Sequence, residues 1–352
     1  MFNKLELICF KNSQITEKLI AQICSFGERL SSLLMFYALC ERKIKCCTIE
    51  SDQIISTDDN YLDANVSLAI TTTLINDKIQ SLFKSQTLPI VTGFIGQNIS
   101  GETTLLGRGG SDYTAAIIAY ALKADTLEIW TDVNGVMSTD PNICNKAYSL
   151  KQLNSGLMLE MSCNGAKVLD YKSILLTIKQ NIPIYIYNTF NTAFKGSRVS
   201  NDNQIDNQKI VSITSIPERV IINLELPENI GKVNTILATN NISPRFSTFS
   251  ESGLHFILGS SQLSDKIRTA LEEVSSASSY IDGVVQVCII GNKVGNNTSI
   301  IGKIFNIINN LEVHLYLTHI IPNNISIFIN YHDKEMIINQ LHNFLEKNNA
   351  IN

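Results

Sequence analysis

Apolar residues Leu19, Ile23, Phe26, Leu30, Leu33, Leu34, Tyr37 and Leu39 recur at helical spacing between positions 15 and 40, which predicts one or two amphipathic helices there. Residues 45–50 read as a short strand and 68–83 as a helix. Leu88-Pro89-Ile90-Val91-Thr92-Gly93-Phe94 reads as a buried strand ending in a loop. A further helix is predicted over 111–123, where Ala115, Ala116, Ile118, Ala119 and Leu122 line one face, and the strand Leu127-Glu128-Ile129-Trp130-Thr131-Asp132 follows it. Strands alternating with helices point to an α/β sheet held between helical layers.

Residues 196–209, rich in Asn, Asp, Gln and Ser, read as a linker. Beyond them, Ile230-Gly231-Lys232-Val233-Asn234-Thr235-Ile236-Leu237 is echoed by Ile301-Gly302-Lys303-Ile304-Phe305-Asn306-Ile307-Ile308. Each segment follows an aliphatic strand, over 220–226 and 284–290. Two copies of a β-α-β-β-α-β unit fit this third of the chain, as does chance likeness between two amphipathic helices.

A chain of 352 residues is long enough for two or three domains. Its 28 Lys and Arg against 32 Asp and Glu leave a net charge of -4, which disfavours a nucleic-acid partner. The opening Met1-Phe2-Asn3-Lys4-Leu5-Glu6-Leu7-Ile8-Cys9-Phe10 carries a glutamate and no small-residue cleavage site, so no signal peptide is expected. No uninterrupted apolar run reaches the roughly 18 residues of a bilayer span, so no membrane partner is expected. Eight cysteines without a Cys-x-x-Cys pair suggest reduced thiols in the cytoplasm rather than a zinc site or a disulfide framework. All five histidines lie in the last third, which removes imidazole-based mechanisms from the first two thirds.

The strongest local signal is Thr103-Thr104-Leu105-Leu106-Gly107-Arg108-Gly109-Gly110-Ser111-Asp112, set directly before a helix. Its glycines let backbone N–H groups approach a ligand, the helix N-terminus favours an anion, and Arg108 can grip a carboxylate or phosphate. The alternative is a glycine turn whose Ser111 or Asp112 caps the helix. In Trp130-Thr131-Asp132-Val133-Asn134-Gly135-Val136-Met137-Ser138-Thr139-Asp140-Pro141, Asp132 and Asp140 can hold hydrated Mg²⁺ or contact a nucleotide; two ligand-free turns are the alternative. Lys167 is either a phosphate partner or a solvated lysine.

Taken together, these segments resemble the aspartokinases of the amino-acid kinase superfamily. The resemblance rests on Ser25-Phe26-Gly27-Glu28, Thr92-Gly93-Phe94-Ile95-Gly96, Leu106-Gly107-Arg108-Gly109-Gly110-Ser111-Asp112-Tyr113-Thr114-Ala115-Ala116, Ile129-Trp130-Thr131-Asp132-Val133-Asn134-Gly135-Val136, Gly165-Ala166-Lys167-Val168-Leu169 and Asn188-Thr189-Phe190-Asn191. It implies an amino-acid kinase fold, a three-layer αβα sandwich over residues 1–200, then a linker and first regulatory strand over 201–219. Two ferredoxin-like ACT domains would follow over 220–280 and 281–352, most like the monofunctional, lysine-sensitive branch. The implied reaction moves the γ-phosphoryl group of MgATP to the side-chain carboxylate of L-aspartate, the first step toward lysine, threonine and methionine. Arg108 would hold the α-carboxylate of aspartate, Glu28 and Asp112 would face its ammonium, and Phe94, Gly109, Gly110 and Ser111 would line the pocket. Thr131, Asp132, Gly135, Asp140 and Lys167 would surround ATP and its Mg²⁺. A cytoplasmic homodimer joined through the ACT domains is implied as well.

The chain departs from that pattern in places. Aspartokinases open on a Lys-Phe-Gly-Gly-Thr-Ser loop, and this chain begins after it, so the fold is expected to be truncated at its N-terminus. A catalytically impaired regulatory subunit that self-associates through ACT domains is the alternative. Met137, Asn142, Asn164 and Asp170-Tyr171 replace residues common around the ATP pocket. In the first repeat Arg245 stands where an acidic residue would meet a lysine ammonium, which makes lysine feedback unfavourable.

Overall fold

The computed structural model describes residues 14–202, 210–225, 230–251, 253–275 and 277–349. The opening decapeptide and residues 203–209 of the expected linker lie outside them. The described chain forms two compact units. Residues 14–136, 149–163 and 167–202 make one; 137–148, 164–166 and the described residues from 210 onward make the other.

In the first unit the helical periodicity of residues 15–40 becomes a single helix, α1 (Glu17–Glu41), whose first turn is capped by the Thr16 hydroxyl accepting from the Leu19 N–H. By length and composition α1 is apolar enough to cross a membrane. It carries Arg29 at mid-length, however, and that guanidinium donates to Glu50 and Asp52. Burial opposes the charge of Arg29, but Asp52 and Glu50 outweigh it and hold its pKa above the ordinary value. Strand β1 (Cys46–Ile49) pairs in parallel with β2 (Leu88–Val91) across the crossover helix α2 (Leu68–Lys84). β3 (Ile95–Gln97) and β4 (Thr103–Leu105) form a hairpin that leads into α3 (Gly110–Leu122).

A four-stranded sheet completes this unit. Its strands are β5 (Leu127–Thr131), β6 (Gln152–Asn154), β7 (Ile184–Asn188) and β8 (Ser197–Ser200), in the order β5-β7-β8-β6, with helices α4 (Ser155–Cys163) and α5 (Tyr171–Gln180) between them in sequence. Strand β8 corrects the linker reading of 196–209. Ser197–Ser200 pairs antiparallel to β7 and parallel to β6, with Ser197 and Val199 fully buried. Pairing on both sides satisfies its backbone, and long-range pairing of this kind overrides a polar local composition.

The second unit is built on six antiparallel strands in the order β10-β11-β9-β12-β14-β13. β9 (Ser212–Glu225) and β12 (Ala277–Ile290) are 14 residues each and pair along both halves. The C-terminal half of β9 joins β10 (Phe246–Ser250) and β11 (Gly253–Gly259), whereas the C-terminal half of β12 joins β13 (Leu315–Ile321) and β14 (Asn324–Asn330). The first β-α-β-β-α-β repeat thus runs without a break from the C-terminal half of β9 to the N-terminal half of β12, whereas the second takes residues 212–216 of β9 as its last strand, a connectivity that local periodicity does not reveal. Helices α6 (Ile230–Thr239) and α7 (Asp265–Glu272) cover Val220, Ile222, Leu224, Leu254 and Phe256. Helices α8 (Thr298–Asn310) and α9 (Lys334–Asn349) cover Val285, Val287, Ile289, Ile325 and Ile327.

His342 of α9 is fully buried, with Nε2 2.9 Å from the Ser138 hydroxyl and Nδ1 without a hydrogen-bond partner among the described residues. Burial holds its pKa below the ordinary histidine value; Glu346 works the other way, and Lys146 adds to the depression. The unfolded chain thus takes up a proton near pH 6.5 that the folded chain resists, so stability present above that pH is lost as pH falls below it. Thermal melts from pH 7.5 to 5 should show this decline, and His342→Gln should flatten it. An unchanged slope in the variant would show that another group sets the pH dependence.

Candidate active site

The site expected around Arg108 lies in the first unit, where the hairpin β3–β4 delivers the glycine loop to the start of α3. Gly109 is the N-cap of α3 in the left-handed region (φ 70°) and supplies no side-chain cap. Only glycine adopts that backbone freely, and a Cβ there would lie 2.6 Å from the Asp170 Cβ. The capped-turn alternative is thus not what forms. Neither Ser111 nor Asp112 caps the helix with its side chain, and the Gly110 N–H donates to the Gly107 carbonyl at 3.1 Å.

Two other expected residues, Glu28 and Phe94, converge on this loop. The Ser111 hydroxyl donates to Glu28 Oε1 at 2.9 Å, which ties α1 to the start of α3. Phe94 sits against the loop from the other side, since a Cβ at Gly110 would lie 2.7 Å from Phe94 Cδ2. Phe94 holds an unusual left-handed backbone (φ 70°), fixed by its N–H donating to the Thr114 hydroxyl and its carbonyl accepting from the Leu106 N–H. Arg108 is exposed and makes no hydrogen bond or ion pair with any described residue.

Asp63 and Lys172, which the sequence reading passed over, and Asp170, expected only as a departure near the ATP pocket, surround the same loop. Asp170 caps α5 by accepting from the Lys172 N–H, and it faces Asp112. Burial, then the Asp170 charge, pushes the Asp112 carboxyl above the usual carboxylate range. Asp63 reaches Gly107, and Lys172 Nζ donates to Asp63 Oδ1 at 2.7 Å while lying over the Tyr113 ring. Burial opposes the Lys172 charge, but Asp63 more than offsets it and raises its pKa. Lys172 is therefore a cation already paired, in contrast to Arg108. A cap signature at Asp170 was visible locally; nothing near Asp63 in the sequence marked it, because it arrives through an isolated bridge to Leu106.

Of the second group of expected residues, Thr131 ends β5 and Asp132 and Gly135 follow it, at the carboxyl ends of the parallel pair β5 and β7, where open α/β sheets bind ligands. Thr131 donates through its hydroxyl to Asp132 Oδ1 at 3.1 Å. Asn188, at the end of β7, donates to Asn134 Oδ1 at 2.8 Å and so fixes the loop after β5. Gly135 takes φ 67°, and a Cβ there would lie 2.3 Å from the Ser197 hydroxyl, which accepts from the Val136 N–H. Lys167 is exposed and without a hydrogen-bond or ion-pair partner among the described residues. Asp140 belongs to the second unit, and its Oδ1 accepts from both the N–H and the Nδ2 of Asn142 in a turn.

Residues 3–188 match the model of the amino acid kinase family. Lysine-sensitive aspartokinase 3 of Escherichia coli K12 is 28% identical over 342 residues, a stretch covering 92% of this chain and 75% of that protein. Aspartokinase of Rickettsia conorii is 28% identical over 98% of this chain and 88% of its own length. Among solved structures, E. coli aspartokinase III in complex with aspartate and ADP, in its R state, superposes with a TM-score of 0.88 at 25% identity, covering 97% of this chain and 79% of that one. The same enzyme with lysine and aspartate, in its T state, gives 0.76 over the same coverage.

Proposed function

Because this chain belongs to the amino acid kinase family and matches aspartokinases over nearly its whole length, we propose that it is an aspartate kinase, moving the γ-phosphoryl group of ATP to the side-chain carboxylate of L-aspartate. The product is 4-phospho-L-aspartate, the entry to lysine, threonine and methionine synthesis. The observation that carries this reading is an exposed guanidinium, Arg108, with no partner among the described residues, held between glycines at a helix start that no side chain caps. A guanidinium so placed meets a carboxylate with two parallel hydrogen bonds. Glu28 and Asp112 meet the ammonium of the substrate, and Phe94, Gly109, Gly110 and Ser111 shape the space around it. A nearby cation relieves the cost of ionising Asp112, so the substrate ammonium and this carboxyl favour one another.

Thr131, Asp132 and Gly135 border the nucleotide, with Lys167 on its phosphates. Mg²⁺ is held mainly by phosphates and water, and Asp132, at the strand ends, is the carboxylate suited to complete its shell. Phosphoryl transfer depends on positioning and charge neutralisation, which these residues supply without a histidine. In this reading residues 1–200 form the kinase domain, and 220–280 and 281–352 form two ACT domains that join a cytoplasmic homodimer. Calorimetry tests the two half-sites separately. L-aspartate and MgATP should each bind saturably, and N-acetyl-aspartate, which lacks the ammonium, should bind at least about tenfold more weakly than aspartate. Equal binding of the two would remove Glu28 and Asp112 from substrate recognition.

A further inference from the structure

An ion-pair cluster in the first unit joins the two elements that bring Glu28 and Phe94 to the glycine loop. Its centre is Arg29, the residue of α1 that follows Glu28. The guanidinium donates through Nη1 to Glu50 and through Nη2 to Asp52. Its Nε donates at 3.4 Å to the Ser25 hydroxyl one turn back, which itself donates to the Gln22 carbonyl. Both acids belong to the short stretch after β1, Glu50 just before the 3-10 turn Ser51–Gln53 and Asp52 within it. An arginine fork that grips two acids on one turn fixes a helix in rotation as well as in position. No residue of α1 after Phe26 is buried, so the orientation of Glu28 rests on this clamp and on Ser25 and Phe26 just before it.

The same turn holds the opposite wall of the site. Ser51, between the two acids, is fully buried; its N–H donates to the Thr92 hydroxyl at 2.7 Å and its hydroxyl donates to the Ile95 carbonyl at 2.8 Å. Those two bonds bracket Gly93 and Phe94. The bracketed loop lies so close to the start of α3 that a Cβ at Gly93 would stand 2.7 Å from the Ser111 hydroxyl, the group that donates to Glu28. Arg29, Asp52 and Ser51 thus form one connected path from Glu28 to Phe94. The Arg29 and Asp52 side chains are only 13% and 11% exposed, so solvent and salt screen their pairing little. Asp52 Oδ1 is buried without a hydrogen-bond partner among the described residues, which leaves Arg29 as the group that compensates this carboxylate.

We infer that Arg29 is a positioning residue for substrate recognition: gripping Asp52 and Glu50, it turns Glu28 toward the substrate ammonium, while Ser51 of the same turn sets the loop that carries Phe94. The inference rests on the proposed role of Glu28 and adds a selective effect to it. Without the clamp, a ligand that carries an ammonium binds more weakly, whereas a ligand of the same skeleton without one is unaffected.

The test is calorimetry on the full chain with L-aspartate, succinate and MgATP as probes, succinate being aspartate without its ammonium. Arg29→Met removes the fork and should weaken L-aspartate about tenfold, the size of one charge-assisted contact, while succinate and MgATP stay within about twofold of the parent. Because this variant strands the Asp52 carboxylate, Arg29→Met combined with Asp52→Asn supplies a second form in which both partners of the buried pair are neutral. A melting curve verifies its folding, and it should show the same selective loss. Arg29→Lys presents a single ammonium in place of the fork and should recover part of the affinity. A purely structural role would weaken all three ligands together. That result, or unchanged L-aspartate affinity in the folded double variant, would overturn the inference and leave the kinase reading standing. Failure of the parent chain to bind L-aspartate would overturn the kinase reading and this inference with it.

Discussion

Arg108→Gln lowers kcat/KM for L-aspartate by about a hundredfold or more and leaves the melting temperature unchanged. The first half follows from the size of a charge-paired contact: truncating one partner costs about 2–5 kcal/mol, and each 1.4 kcal/mol is a factor of ten. The second half follows from the structure, because the Arg108 head group makes no hydrogen bond or ion pair with a described residue. Initial-rate kinetics with aspartate varied at saturating MgATP would show the loss, and the KM for MgATP should stay close to that of the parent. Arg108→Lys should recover only part of the activity, since an ammonium cannot present the two parallel donors of a guanidinium. A drop in stability that parallels the drop in rate would mean that Arg108 is structural after all.

The second large effect separates stability from activity in the opposite direction. Asp112→Asn should abolish most turnover while making the protein more stable by roughly 0.5–2 kcal/mol, the usual return for relieving an unfavourable site. Asp112 is partly buried and faces Asp170, and both conditions disfavour its charge. Because its folded pKa is raised, the ionised group penalises the fold at neutral pH, and the penalty vanishes once pH falls below the unfolded value near 3.9. The advantage of the asparagine variant should therefore be present at pH 7 and fade toward pH 3.5. Melting curves of parent and variant at both pH values measure this directly. If the variant is less stable at pH 7, Asp112 is held by favourable contacts and the strain reading is wrong.

These expectations rest on parts of the molecule that were unequally legible from the chain. The glycine loop and α3 could be read because their determinants are local: positive-φ glycines, a helical face of alanines, and an arginine with no reason to sit in a plain turn. The single helix α1 follows from an unbroken apolar stripe and the Thr16 cap. Strand β8 was hidden, since Ser197-Arg198-Val199-Ser200 looks polar until β7 and β6 are set on either side of it. A regulatory strand was expected within 201–219, but that residues 212–216 complete the second repeat rather than the first was hidden, as it depends on register over 14 residues and on irregularities that no propensity predicts.

Within the site, Glu28 stood out through its motif, and its hydrogen bond from Ser111, which was expected only to line the pocket, could not be read from the chain. Asp63 and Lys172 were not legible, because they reach the loop from positions 109 residues apart and meet only in the folded unit. Asp140 illustrates the reverse case. Pro141 beside it marks a turn, and the Asp140 side chain accepts from Asn142 within that turn.

The most direct measurement is phosphoryl transfer itself, with purified full-length chain, MgATP and L-aspartate, and hydroxylamine present to capture an acyl phosphate as its hydroxamate. The account predicts ADP and aspartyl hydroxamate in equal amounts, formation that requires both substrates, and no product when glutamate replaces aspartate or when Arg108 is glutamine. ATP consumed without hydroxamate, or hydroxamate formed equally well by the Arg108→Gln chain, would contradict it.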